Sequence, residues 1–259
     1  MVKFSKANAK IEALQEVPSL QPYLKGKKVY SFDLLSGYSC PFAKQCLSKA
    51  TVNAEGKRKI KDGPDTEFRC FSASQEVQYT NVYNLRKHNF DSLKNLSTGE
   101  MVQRLQMAMM NDTGICRIHV AGDFFNQKYF DAWLALAALK PQILFYAYTK
   151  SLRYWLHRRE VVDSLPNFIL TASYGGRDDE LISSQNLRSA KVIFSEKEAD
   201  SLGLEIDHDD SHAADPAKKN EDFALLIHGT QPKGTEAADA LKKLKGKGSY
   251  SRKKRKEVV

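Results

Sequence analysis

From residue 115 onward, short runs of apolar and β-branched residues alternate with helix-length segments, and a chain with that rhythm has few folds open to it. Strand character covers residues 115–123, 143–149, 168–173, 191–195, 204–207 and 223–228. Helical character covers 127–139, 152–165, 178–187, 196–202 and 235–244, with stops at Pro141, Pro166 and Gly203. Strands joined by helix-length crossovers pair in parallel, and a parallel sheet must be covered by helices. Residues 28–34 alternate as one more strand upstream. Roughly six such units predict an α/β fold, a full or partial parallel β/α barrel over residues 28–244. Residues 1–27 form a lead-in, with a helix at 7–16 stopped by Pro18. No Gly-x-Gly-x-x-Gly follows any strand, so a dinucleotide fold has no support.

Composition narrows the class. The chain has 259 residues, 42% hydrophobic and 27% charged, enough to bury a core. No apolar run follows the first basic residues, and no segment nears the roughly 20 apolar residues that span a bilayer. A soluble cytosolic protein without membrane contact is expected, with its four cysteines reduced. Of the net charge of +9, residues 242–259 supply nine cations less one acid, leaving +1 for the rest. The body is therefore not basic. The tail at 245–259 is expected to be disordered and to attract nucleic acid or another polyanion. The sequence names no oligomeric state.

In β/α barrels the working residues sit at the C-terminal ends of the strands. The first strand runs into a cysteine loop at 35–72. It holds Cys40 and, six residues on, Cys46; Cys70 returns after the turn signals Glu55-Gly56 and Asp62-Gly63-Pro64. Cys116 stands about seven residues before Asp123, some 23 Å away along a strand, and reads as a buried structural thiol on the opposite rim. Three thiols can then share a site. Structural zinc favours four closed ligands in close Cys-x-x-Cys pairs, and no such pair exists here. An iron–sulfur cluster with one open iron, a zinc site completed by a histidine, and unliganded thiols all stay open.

The other strand ends are polar. His119, Ala121 and Asp123 alternate with Ile118 and Val120, which puts His119 and Asp123 toward the barrel interior. Lys150 shares a face with Tyr146 and Tyr148, and could bind a carboxylate or phosphate. Ser173, Gly175 and Gly176 could cradle an anion on successive backbone N–H groups. His208 and His212, if helical, lie one turn apart and form a secondary metal candidate. Capping boxes open helices at Ser72 (with Gln75) and at Ser97 (with Glu100).

Three thiols in the loop after the first strand of a β/α barrel resemble the layout of radical S-adenosylmethionine enzymes. The resemblance implies a [4Fe-4S] cluster on Cys40, Cys46 and Cys70, and S-adenosylmethionine with its amine held near Gly122 and Asp123. The spacing departs from that superfamily's Cys-x-x-x-Cys-x-x-Cys, and an aspartate stands where a glutamate is more common. At family level, Leu35-Ser36-Gly37-Tyr38-Ser39-Cys40-Pro41, Cys70-Phe71-Ser72-Ala73-Ser74, His119-Val120-Ala121-Gly122-Asp123-Phe124-Phe125, Tyr146-Ala147-Tyr148-Thr149-Lys150-Ser151, Ile206-Asp207-His208-Asp209-Asp210-Ser211-His212 and Ile227-His228-Gly229-Thr230-Gln231 resemble the bacteriophage gene product 88 family. That resemblance implies phage origin and a host-cytoplasm location, and supplies no reaction. The expectation is a radical S-adenosylmethionine-type enzyme on a nucleotide, nucleic acid or other anionic substrate, with Lys150 and His119 as candidate catalytic residues. The rivals are a metal-dependent hydrolase or nuclease using His208 and His212, and a non-catalytic nucleic-acid or host-factor binding protein with a structural metal.

Overall fold

A computed structural model describes residues 1–244; the tail at 245–259 lies outside the described residues. Its centre is an eight-stranded sheet. In chain order the strands are β1 (Ser5–Lys6), β2 (Lys28–Phe32), β3 (Ser48–Val52), β4 (Arg58–Asp62), β5 (Thr113–Ile118), β6 (Leu144–Thr149), β7 (Phe168–Ser173), β8 (Ser189–Ile193), β9 (Glu205–Ile206) and β10 (Phe223–Leu226). The sheet order is β1-β2-β5-β6-β7-β8-β10-β9, while β3 and β4 form a separate antiparallel hairpin. Every pair from β2 to β9 is parallel, and β1 alone runs antiparallel, against β2. From β2 to β8 the sheet strands neighbour their successors, although the β2–β5 connection carries the cysteine loop, the β3–β4 hairpin and three helices. The expected parallel α/β architecture holds. Barrel closure goes beyond the strand pairing, in which β1 and β9 remain the two edges.

Strand parity sorts the side chains into two cores. Phe32, Cys116, Ile118, Phe145, Ala147 and Leu170 pack under helices such as Gln127–Leu139, around the fully buried Trp133. Val29, Ile115, Leu144, Tyr146 and Ile169 point to the other face. There the lead-in segment covers them with Ile11, Leu14, Leu20 and Leu24. Each such side chain withdrawn from water contributes about 1.5–3 kcal/mol. The lead-in is not the single helix expected at 7–16. It is one turn, Ala9–Glu12, capped by Asn8, then short 3₁₀ pieces before Pro18 and Pro22.

Other boundaries shift for local reasons. The strand expected at 115–123 ends at Ile118, because His119 takes a left-handed backbone (φ 71°). The strand expected at 191–195 lies at Ser189–Ile193, and the helix at 152–165 breaks into Leu152–Leu156 and Arg159–Ser164. The Ser97–Glu100 capping box forms as expected. The one at Ser72 does not, since that helix starts at Phe71 with Cys70 in the cap position.

Candidate functional site

The cysteine loop is tied down at both ends. Leaving β2, Asp33 accepts from the N–H groups of Val120 (2.7 Å) and Ala121 (3.2 Å), which binds the loop's root to the end of β5. Ser36 donates from N and Oγ (3.0 and 2.7 Å) to the buried Glu76, which Arg86 also contacts at 3.2 Å. Farther on, the loop crosses to the segment after β7. Lys44 and Gln45 donate to the Gly175 carbonyl (3.1 and 3.0 Å), Arg177 donates to that of Phe42 (2.9 Å), and Ala43 bridges Gly176. The β3–β4 hairpin then returns the chain to Cys70. Gln231 clasps the adjoining backbone there, accepting from Arg69 N–H (2.8 Å) and donating to Arg69 C=O (3.2 Å).

These links enclose a cavity of about 190 Å³ whose walls include Cys40, Cys46 and Cys70. Burial, the nearby Asp123 carboxylate and the other two thiols push the Cys40 thiol well above its ordinary range. Burial and then Cys46 push Cys70 up to about 11, although the N–H groups of Ala73 and Ser72 at the helix start favour its thiolate. Three thiols that feel one another's charge share one space. Among the described residues the three thiols do not close as a single-ion site does, and the group of ligand atoms within 4.8 Å of one another is Glu205, His212 and Glu221. Cys116 is fully buried in the core beneath the helices, on the far face of the sheet rather than its far rim.

Asp123 and Lys150 line the same cavity. Asp123 is consumed by the fold: it accepts from Phe124 N–H (2.7 Å), Thr149 Oγ1 (2.6 Å) and Lys150 N–H (2.9 Å). Burial raises its pKa against those bonds. Lys150 is 8% exposed, and its Nζ donates to Ser173 Oγ (2.6 Å), Ser173 O (3.3 Å) and Tyr174 O (2.8 Å). All three acceptors are neutral. Among the described residues no carboxylate oxygen stands within 4.0 Å of this ammonium, an uncommon state for a buried cation.

Other expected site residues lie differently. The N–H groups of Gly175 and Gly176 already donate to Asp179 (2.8 Å each), so a carboxylate of the chain fills the expected anion cradle. Gly122 (φ 94°) serves close packing, since an added Cβ would meet Ser39 Oγ at 2.6 Å and Leu34 Cβ at 2.8 Å. Gly122→Ala is therefore expected to cost about 1–3 kcal/mol in urea unfolding; an unchanged midpoint would remove the steric argument. The left-handed turn at His119 reverses side-chain parity. Its Nε2 lies 3.0 Å from Tyr129 OH and its ring packs on Phe124, while the residue still lines the cavity and Val120 joins the inner face. Burial, then Arg117, drops the His119 pKa to about 3, so the imidazole is neutral. His208 and His212 share no helix face. Asp210 in the left-handed region (φ 65°) caps a new turn at Ser211–Ala214, leaving His208 exposed while His212 is 2% exposed.

Sequence reading missed the cavity's other charged wall. Lys10 from the lead-in and Arg117 from β5 both pair with Asp210, Lys10 at 2.7 Å, and Tyr146 OH donates to the same carboxylate at 3.0 Å. Burial opposes the charge on Asp210, yet Arg117 and Lys10 hold its pKa down to about 2. An arginine two residues from Ile115 on the inward parity of an apolar strand was the available signal. Lys10 carried none. His228 lines the cavity too, its ring 4.7 Å from that of Phe71, and burial with the Lys10 and Arg117 charges lowers its pKa to about 3.

Among the described residues no helix is long and apolar enough to cross a membrane. No curated protein and no solved structure matches the chain. The comparisons lend no support to a likeness to radical S-adenosylmethionine enzymes. Residues 2–247 match the Gene product 88 family, the phage family that the motifs around Cys40, Cys70, Asp123 and His228 resemble. The chain belongs to the Gene product 88 family.

Proposed function

We propose that this chain is an iron–sulfur enzyme of radical S-adenosylmethionine type, working in the host cytoplasm on a nucleotide, nucleic acid or other anionic substrate. The observation that carries the reading is the convergence of Cys40, Cys46 and Cys70 on one cavity beside Asp123 and Lys150. Thiolates are the soft ligands that iron–sulfur clusters take, and a cluster spreads its ligands farther apart than a single ion does. The carboxylate of Asp123 is spent on three protein donors, which favours three protein ligands over four. When bound, the cluster would supply an electron to S-adenosylmethionine and so start radical chemistry.

The chain's own residues have separable tasks in this reading. Lys150 meets a carboxylate or phosphate with an ammonium that, among the described residues, has no carboxylate oxygen within 4.0 Å. Asp123 holds the Thr149 hydroxyl and the Lys150 backbone N–H and so aims that ammonium. Lys10, Arg117 and Asp210 form a rigid charged wall, while the cysteine loop covers the cavity and limits water. His119 stays a candidate catalytic group: the residue lines the cavity, and Tyr129 OH, 3.0 Å from its Nε2, orients the ring. The basic tail would add non-specific attraction to a polyanion.

Anaerobic reconstitution with iron and sulfide tests the reading. Absorbance near ~400 nm and about four irons per chain are expected for a thiolate-held cluster. A protein that stays colourless and iron-free under those conditions would end it. With the cluster in place, Lys150→Ala should weaken binding of S-adenosylmethionine or of the anionic substrate at least about tenfold, the loss of a charge-assisted contact. Unchanged affinity for both would remove Lys150 from the site.

A further inference from the structure

A cluster of metal-ligating side chains, apart from the thiols, stands by β9. Glu205 lies on β9, His212 on the turn Ser211–Ala214, and Glu221 just before β10. One donor atom from each lies within 4.8 Å of the others. His212 Nδ1 is 3.3 Å from Glu205 Oε2, and Nε2 is 3.7 Å from Glu221 Oε2. The imidazole is 2% exposed, and its buried Nε2 makes no hydrogen bond. The ring is held rather than loose: it stacks on Phe223 with centroids 4.6 Å apart, and Arg188 grips the His212 carbonyl. The two acids are on exposed side chains, free to swing inward.

A cation already sits between Glu205 and the Nδ1 side of His212. Lys218 Nζ sits 2.8 Å from Glu205 Oε2 and 3.4 Å from His212 Nδ1. Its side chain is 34% exposed, so the ammonium can withdraw into water. Two carboxylates and a neutral imidazole carry a charge of about −2, which a divalent ion neutralises and one ammonium does not.

We infer that Glu205, His212 and Glu221 form a binding site for a divalent ion of the zinc class, which displaces Lys218. The ion braces the edge strand β9 and the turn at Ser211–Ala214 against β10. Asp210, which caps that turn, is the carboxylate that pairs with Lys10 and Arg117 in the cavity, so the brace lies next to the charged wall. The site is independent of the thiols.

The test is calorimetric titration of the chelator-treated full chain with Zn²⁺, in a Cys40→Ser, Cys46→Ser, Cys70→Ser background so that thiolates take none. One Zn²⁺ per chain is expected. Adding Glu205→Gln with Glu221→Gln, both surface changes, should weaken binding at least about 100-fold; Lys218→Ala should tighten it about tenfold by removing the competitor. No binding in the parent, or binding untouched by the double glutamine change, overturns the site. Should the serine background fail to fold, Mn²⁺ binding to the wild-type chain by electron paramagnetic resonance separates the same outcomes, because thiolates compete poorly for that ion.

Discussion

An Asp210→Asn protein is expected to lose about 3–5 kcal/mol of stability in urea unfolding, among the largest losses a single charge change can produce. Asp210 is fully buried and answers two cations, with Lys10 and Arg117 side chains only 6% and 11% exposed. Removing the carboxylate leaves both charges in a low-dielectric wall, and Tyr146 OH loses its charged acceptor. Lys10→Met should cost less, because Arg117 and Tyr146 still satisfy the acid. Equal midpoints for Asp210→Asn and wild type would sink the account.

The pH dependence follows from the same carboxylate. Its folded pKa, about 2, lies below the roughly 3.9 of an unfolded aspartate, so it contributes stability above that unfolded value. That contribution is lost as pH falls from about 4 through about 2. In the Asn variant the acid limb of the stability curve should be shallower across that window. A limb of unchanged slope would show that Asp210 does not carry it.

Under the iron–sulfur proposal, each of Cys40→Ser, Cys46→Ser and Cys70→Ser should reduce reconstituted iron from about four per chain to well under one, with the ~400 nm band gone. Cys116→Ala should keep both, because that thiol packs in the opposite core with Ile118 and Phe145. The contrast matters more than any one variant, since all four positions are cysteines of equal intrinsic chemistry. Burial raises Cys40 and Cys70, so the free thiols are protonated near neutrality and metal uptake must release protons. Uptake should therefore quicken as pH rises. Iron retained in the Cys40→Ser chain would break the proposal, and colourless protein with zinc on the same three thiols would favour a structural site.

What the strand–helix rhythm made legible was the architecture. Crossover length and apolar alternation are local properties, and they pointed to a parallel sheet and to the ends where polar residues collect. Grouping Cys40, Cys46 and Cys70 while setting Cys116 apart also followed from local spacing. Parity failed where one residue left the regular backbone: a positive φ at His119 ended β5 and brought Val120 to the inner face, and another at Asp210 separated His208 from His212.

Tertiary structure alone decided which charges are already answered. Asp179 fills the Gly175–Gly176 cradle, Asp123 is spent on its neighbours, and Asp210 draws Lys10 and Arg117 from positions 200 and 93 residues away. Among the described residues the hydrogen bonds of Lys150 Nζ go to neutral oxygens of Ser173 and Tyr174. Sequence patterns report what a segment does to its own backbone. They carry no record of which distant group meets it when the sheet brings both to one mouth, and at a buried site that meeting sets the chemistry.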